Sequence, residues 1–187
     1  MLILTYLTMC LYGTFLYYQG FYFSASESNT LAFCAVVKDQ DMTEWIDYHR
    51  SIGVSKFYIF DNNSTKPLIR GLKEFIGSEL VEYRTLSRKT CPTERLRGNA
   101  QLCAYHECLV SYGKKHKYMG FLDIDEFVVI KNKDVSIFNV LERYQGFGGL
   151  VLNWMMFGSS GHIHRPEGGV LRNYNKCTTN QHVKTKC

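Results

Sequence analysis

Residues Tyr118–Phe127 read YMGFLDIDEF. The apolar run Tyr118–Leu122 predicts a short strand, and it leads directly into two carboxylates, Asp123 and Asp125, one residue apart. An apolar run of this length suits a strand buried on both faces, as in a parallel sheet covered by helices. In open α/β sheets, ligands bind beyond the carboxyl ends of the strands. Hard divalent cations such as Mn2+ or Mg2+ take oxygen ligands and often share them with a diphosphate. Asp123 and Asp125 are therefore candidate metal ligands. The alternatives are two solvated loop acids, or an acid capping a neighbouring helix.

The flanking sequence supplies the rest of an α/β pattern, with strands alternating with helices. Leu31–Val37 (LAFCAVV) is a continuous apolar run. Asp41 and Glu44 have capping-box spacing and predict a helix whose face carries Trp45, Tyr48, His49 and Ile52, with Gly53 ending it. Lys56–Phe60 predicts a second strand, and Asp61–Ser64 (DNNS) a turn. Pro67 opens an expected helix through Phe75, and Leu80–Arg84 is a further strand. A longer helix is expected from Glu94 to Tyr112, with Leu102, Tyr105, Leu109 and Tyr112 on one face. Asp134 predicts the cap of a helix carrying Ile137, Val140, Leu141 and Tyr144, ended by Gly146. Leu150–Trp154 is the next strand, followed by a Gly/Ser/His loop, Gly158–His164. The fold class is α/β, with a mostly parallel sheet flanked by helices.

That alternation brings further polar residues to the same edge as the acid pair. Lys38 and Asp39 follow the first of these strands and Asp61 the second. An acid there accepts hydrogen bonds from a ribose hydroxyl or a base N–H, and a lysine meets phosphate. Arg95, Arg97 and Gln101 stand near the start of the long helix, where a diphosphate uses an arginine and the helix N-terminus. Each residue alone reads equally as a turn former or a solvated base. Their convergence is what makes a site. Asn62-Asn63-Ser64 and Asn63-Ser64-Thr65 are overlapping glycosylation sequons on this edge, expected to stay unmodified if the edge is a donor pocket.

Composition bounds the remainder. With 187 residues, 45% of them hydrophobic and only three prolines, the chain builds one sizeable core rather than a disordered or disulfide-stapled scaffold. The formal charge of +5 is spread along the chain, without the basic stripe interleaved with aromatics that marks nucleic-acid binding. It suits an anionic ligand such as a nucleotide sugar. The seven cysteines show no CxxC pair and no zinc-type spacing. Cys103 and Cys108 read as buried thiols on the long helix, and Cys91 is available to pair in an oxidising compartment.

Residues 1–23 contain no charged side chain and are long enough to cross a bilayer, with Tyr17, Tyr18 and Tyr22 toward one end. They predict a single-pass signal anchor. Residues 24–30 (SASESNT) would be a short linker, and 31–187 the folded domain.

Together these segments resemble glycosyltransferase family 92, a GT-A-type family. The likeness runs through Cys34–Asp39 (CAVVKD), Glu44–His49 (EWIDYH), Gly53–Ser64 (GVSKFYIFDNNS), Arg97–Cys108, Tyr118–Phe127 and Trp154–His162 (WMMFGSSGH). It implies a Rossmann-like GT-A fold and an inverting transferase that moves a sugar, galactose by analogy, from a UDP-sugar to a glycan acceptor. By the same analogy Asp125 ligates Mn2+ or Mg2+, and Asp123 meets the ribose or the metal. Lys38, Asp39, Asp61, Arg97 and Gln101 would contact the nucleotide sugar. Trp154, Gly158, Ser159, Ser160 and His162 would wall the donor sugar or the acceptor. The partners implied are a UDP-sugar, a glycan and a Golgi membrane with the catalytic domain in the lumen, and no nucleic acid. Neither Glu126 nor Glu167 is assigned as the base that an inverting displacement requires.

Related chains continue past His182, the last candidate for a late metal-completing histidine, so the GT-A domain is expected to be incomplete at its C-terminus. This makes a nucleotide-sugar-binding paralogue without activity the alternative function. An Asp-x-Asp pair also follows a strand in phosphatases of the haloacid dehalogenase type. There it lies on the first strand with a threonine soon after, unlike Asp125-Glu126-Phe127 here.

Overall fold

The strand Leu31–Val37 is the axis from which the sheet is built, because every second side chain serves a different layer. Leu31, Phe33, Ala35 and Val37 enter one buried cluster, while Ala32 and Cys34 enter another on the opposite face. The computed structural model describes residues 2–8, 20–23, 29–66, 68–87, 91, 96, 98–132 and 134–177, with the backbone alone at 2–8, 20–23 and 153–154. Its strands are β1 (Leu2–Thr8), β2 (Gly20–Phe23), β3 (Leu31–Val37), β4 (Lys56–Asp61), β5 (Val81–Thr85), β6 (Tyr118–Phe121), β7 (Glu126–Phe127) and β8 (Gly149–Phe157). The helices are α1 (Thr43–Ser51), α2 (Lys73–Gly77), α3 (Ala100–Tyr112), α4 (Ile137–Glu142) and α5 (Val170–Asn173).

The sheet runs β5-β4-β3-β6-β2-β8-β1-β7. Strands β5, β4, β3 and β6 are parallel to their neighbours. Antiparallel pairs then join β6 to β2, β2 to β8, and β8 to β1. The chain winds outward from β3 in two directions, through α1 to β4 and then α2 to β5, and afterwards through α3 to β6. Trp45 and Ile46 of α1 share the first cluster with Leu72, Ile137 and Leu141. Leu102, Cys103, Cys108 and Tyr112 of α3 form the second, with Met119 and Phe121. This is a Rossmann-like α/β arrangement, and its direction reverses between β3 and β6.

Several elements differ from the sequence reading for local reasons. Asp41 and Glu44 do not form a capping box. Asp41 Oδ1 accepts from the backbone N–H and hydroxyl of Thr43 at 3.0 and 2.8 Å, while the Glu44 carboxylate is drawn away to a distant segment. Gly53 does end α1, with φ of +114°, and a methyl group there would lie 3.1 Å from Phe138 Cε2. In place of one helix from Pro67 to Phe75 there is a 3-10 turn, Leu68–Arg70, and then α2. Pro67 itself lies outside the described residues. The long helix is described from Ala100, where Asn99 caps it by accepting from the N–H groups of Gln101 and Leu102 at 3.0 and 3.1 Å, and Glu94 lies outside the described residues. The cap of α4 is Ser136, in a capping box with Asn139, and not Asp134, whose N–H turns to Asn132.

The N-terminal expectation also differs. Leu2–Thr8 and Gly20–Phe23 are strands, the first paired with β8 and β7 and the second with β6 and β8. Apolar residues that could span a bilayer as a helix here satisfy their backbone groups in the sheet ladder. The sheet therefore extends to residues before Leu31. Residues 9–19 and 24–28 lie outside the described ones, and among the described residues no helix is long and apolar enough to cross a membrane.

Cys103 is not a free thiol. It is bonded to Cys91, tying the segment before α3 to the helix itself. Cys34 and Cys108 are buried thiols, and Cys177 is exposed and free. Burial raises the pKa of the Cys34 thiol well above its ordinary value, with the neighbouring Cys108 adding to the shift.

Candidate active site at the sheet switch point

Three strand ends meet level with one another. Val37 pairs with Asp61 across β3 and β4, and Cys34 pairs with Phe121 across β3 and β6. Continuing that register sets the Asp123–Asp125 turn beside Val36–Lys38. The acid turn, Lys38 and Asp39, and the Asp61 turn therefore share the carboxyl edge of the parallel strands. The reversal of strand order between β3 and β6 opens a crevice there, the usual ligand site of such sheets.

The acid turn is held from both faces of the sheet. On the α3 side, Gln101 Nε2 donates to Asp123 Oδ1 at 2.6 Å and lies 3.1 Å from the Tyr105 hydroxyl one helical turn along. Burial raises the Tyr105 pKa, and the Asp123 charge adds to the shift. Behind the turn, the buried Glu126 accepts the Asp123 N–H through Oε2 at 3.0 Å. Glu126 is thus a buttress of the turn. On the α1 side, Trp45 Nε1 donates to the Glu126 carbonyl and the Tyr48 hydroxyl to the Val128 carbonyl, each at 2.8 Å. His49 Nε2 accepts the Val128 N–H at 3.2 Å, which leaves the ring proton on Nδ1 to donate to the Trp45 carbonyl at 2.8 Å. Burial drives the His49 pKa down to about 3, so the ring is neutral.

Asp123 and Asp125 are both partly exposed, and as oxygen donors on one turn they suit Mn2+ or Mg2+ rather than a thiolate–imidazole metal. Among the described residues no three His, Cys, Asp or Glu side chains gather into a complete cage. Two aspartates would supply part of an octahedral shell, of the kind that water and a diphosphate complete.

On the neighbouring strands, Asp39 and Asp61 are linked through one turn. Asp39 Oδ1 accepts from the Thr65 N–H and hydroxyl at 2.6 and 2.7 Å, and the Asp39 N–H donates to Ser64 Oγ at 2.9 Å. The Thr65 bonds hold the exposed Asp39 carboxyl below its ordinary pKa. Asp61 is buried. Its Oδ1 accepts the Ser64 N–H at 2.8 Å and its Oδ2 the Tyr83 hydroxyl, so this carboxylate organises the turn. The hydroxyls of both overlapping sequons, those of Ser64 and Thr65, are engaged with Asp39. Lys38 stands exposed beside it. A cavity of about 490 Å3 opens here, rimmed by Asp39, Asp41, Thr65 and Lys66 and floored by Met42 and Leu72.

The glycine-rich loop closes on its own continuation. Gly158 N–H donates to the Lys176 carbonyl at 3.0 Å, and Ser160 Oγ accepts the N–H groups of Asn175 and Lys176, each at 3.0 Å. His162 Nε2 lies 3.2 Å from the Asn173 carbonyl, its ring edge-on to Tyr174. Ser160 is therefore a loop staple, while Ser159 and His162 are exposed. Glu167 is exposed, and its carbonyl accepts from Asn173. Arg95, Arg97, His182 and the Trp154 side chain lie outside the described residues.

The sequence reading missed Tyr83, Tyr105, Ser64 and Thr65. The i, i+4 spacing of Gln101 and Tyr105 was a visible signal. Nothing local linked Tyr83 to Asp61.

Comparison with known proteins agrees with this geometry. The profile of Glycosyltransferase family 92 matches residues 31–187. A glycosyltransferase family 92 protein of Oryza sativa subsp. japonica is 27% identical over 153 residues, covering 79% of this chain and 25% of the relative. Proteins named for the same family in Ricinus communis and Arabidopsis thaliana are 28% and 27% identical over 156 residues, each alignment covering 77% of this chain and 26% of the relative. The chain thus spans about a quarter of the length of these relatives. No solved structure matches. On a family match that runs from the start of β3 through both strand ends at the switch point, this chain belongs to glycosyltransferase family 92.

Proposed function

We propose that the chain is a metal-dependent, inverting glycosyltransferase that takes its sugar, galactose by family analogy, from UDP and gives it to a glycan hydroxyl. The observation that carries this reading is the convergence of the Asp123–Asp125 turn with Lys38 and Asp39 at the switch point, with Gln101 orienting Asp123.

Asp125 and Asp123 would hold Mn2+ or Mg2+, which offsets the negative charge that grows on a leaving diphosphate. Lys38 adds a positive charge on the same edge, and Asp39 accepts from the ribose or base. Asp61 acts through the turn it organises, and Arg97 is the proposed further phosphate contact. The cavity beside Asp39 is large enough for a nucleoside. In transfer, the acceptor oxygen bonds to the anomeric carbon on the face opposite the departing diphosphate, and its proton passes to a base. Glu126 is not that base, since it is buried and accepts the Asp123 N–H. Trp154, Ser159 and His162 are proposed to border the sugar. The Cys91–Cys103 disulfide supports residence in an oxidising compartment, in keeping with a Golgi lumen.

The test is hydrolysis of a UDP-sugar panel by the 187-residue chain, with Mn2+ and with chelator, in the wild type and Asp125→Ala. Turnover abolished by chelator and by Asp125→Ala is expected. Turnover indifferent to both overturns the reading, and UDP binding without turnover selects the inactive-paralogue alternative.

A further inference from the structure

Helix α1 touches two parts of the molecule that the chain separates widely. Its residues Trp45, Tyr48 and His49 grip Glu126–Val128, just behind the acid turn. Glu44, one residue earlier, reaches the other way. Its Oε2 accepts the Val170 N–H at 2.5 Å and its Oε1 the Leu171 N–H at 3.2 Å. These are the first two N–H groups of α5, which have no acceptor within their own helix. A carboxylate sharing both is a charge-assisted cap. Gly169 makes the approach possible, because a Cβ on it would collide with the Glu44 carboxylate.

The capped segment is the continuation of the glycine-rich loop. Asn173 Nδ2 binds back to the carbonyls of Glu167 and Gly169, and His162 and Ser160 bind residues 173 to 176. The start and end of the 158–176 segment are therefore bonded to each other, and the Glu44 cap ties the segment to α1. Arg165 lies close enough to Asp41, on the cavity rim, to add to the Thr43 hydrogen bonds that lower the Asp41 pKa.

We infer that Glu44 is a positioning residue that docks the 158–176 segment on α1, and through that one helix sets the segment's place against the Asp123–Asp125 turn. The Glu44 carboxylate is engaged with these backbone groups, a structural and not a chemical role. Its consequence for transfer rests on the proposed function: the docked loop presents Ser159 and His162 as the acceptor wall, so loosening it harms acceptor use while donor binding stands.

The test compares wild type, Glu44→Gln, Glu44→Ala, Gly169→Ala and the double variant Glu44→Ala/Gly169→Ala. Hydrogen exchange at the Val170 and Leu171 amides should accelerate by roughly tenfold to a hundredfold in Glu44→Ala, less in Glu44→Gln, which keeps one acceptor oxygen. Gly169→Ala should match Glu44→Ala, and the double variant should be no worse than either, since both remove the same contact. Acceptor KM should rise about tenfold in step with exchange, with donor KM and the Mn2+-dependent Kd for UDP within about twofold of wild type. Unchanged exchange, or additive single effects, overturns the docking. Faster exchange with acceptor KM unmoved overturns the positioning role. A wild type that hydrolyses no UDP-sugar overturns the transferase reading instead, and the exchange comparison then decides the docking by itself.

Discussion

Gln101 Nε2 sits 2.6 Å from Asp123 Oδ1, joining the first turn of α3 to the end of β6. The amide helps to fix the rotation of this carboxylate on its turn. Outer partners of this kind commonly contribute 10–100-fold to metal affinity. Gln101→Leu should therefore weaken Mn2+-dependent UDP binding by about tenfold while leaving the fold intact, as read by calorimetric titration. Unaltered affinity would remove Asp123 from the metal and nucleotide site.

The disulfide makes a second prediction. It closes a loop across a separation of 12 residues, between Cys91 and Cys103. Loop-closure entropy assigns such a bridge about 3 kcal/mol. Cys91→Ser and Cys103→Ser should lower the thermal midpoint to the same extent, by roughly 6–12 °C for a chain of this size. Reductant should do the same to the wild type and nothing further to either variant.

His49 predicts a pH dependence. Its ordinary value is 6.5 and its folded value is lowered to about 3, chiefly by burial. Above 6.5 the ring is neutral in both states, and its full contribution is present. Below 6.5 the unfolded chain takes up a proton that the folded ring refuses, so stability falls with pH until about 3. The slope is about 1.4 kcal/mol per pH unit. Urea midpoints between pH 7 and pH 5 should fall in the wild type and less steeply in His49→Gln, where the lowered pKa of His116 still contributes.

Trp45→Phe keeps a ring in the core but deletes the donor to the Glu126 carbonyl. A buried carbonyl left without that bond costs about 1–3 kcal/mol. Denaturant unfolding should show a loss in that range. A neutral result would mean that the α1 grip on Glu126–Val128 does not depend on the indole.

How much of this was legible in the sequence depended on the range over which each signal acts. Leu31–Val37 and Tyr118–Leu122 announced themselves because a strand buried on both faces is apolar at every position. The edge carrying Asp39, Asp61 and Asp123 followed from strand ends alone. What failed was the choice among local acceptors. Asp41 and Glu44 have the spacing of a capping box, yet Glu44 is recruited by backbone groups 126 and 127 residues away. Likewise Ser136 outcompetes Asp134 as the cap of α4, because its partner Asn139 lies three residues on. The apolar N-terminus was ambiguous in principle, since hydropathy does not distinguish a bilayer from neighbouring strands as the place where such residues hide. Cys91 and Cys103 had no spacing motif to mark them as a pair.

The pairing of β1 with β8 has a consequence for synthesis. Leu2–Thr8 is synthesised before its partners Val151–Phe157, which emerge some 140 residues later. At translation rates of roughly 5–20 residues per second, an unpaired apolar ribbon waits on the order of ten to thirty seconds. During that interval its backbone groups have no β8 partner, so the β1–β8 ladder forms only after both strands have been made.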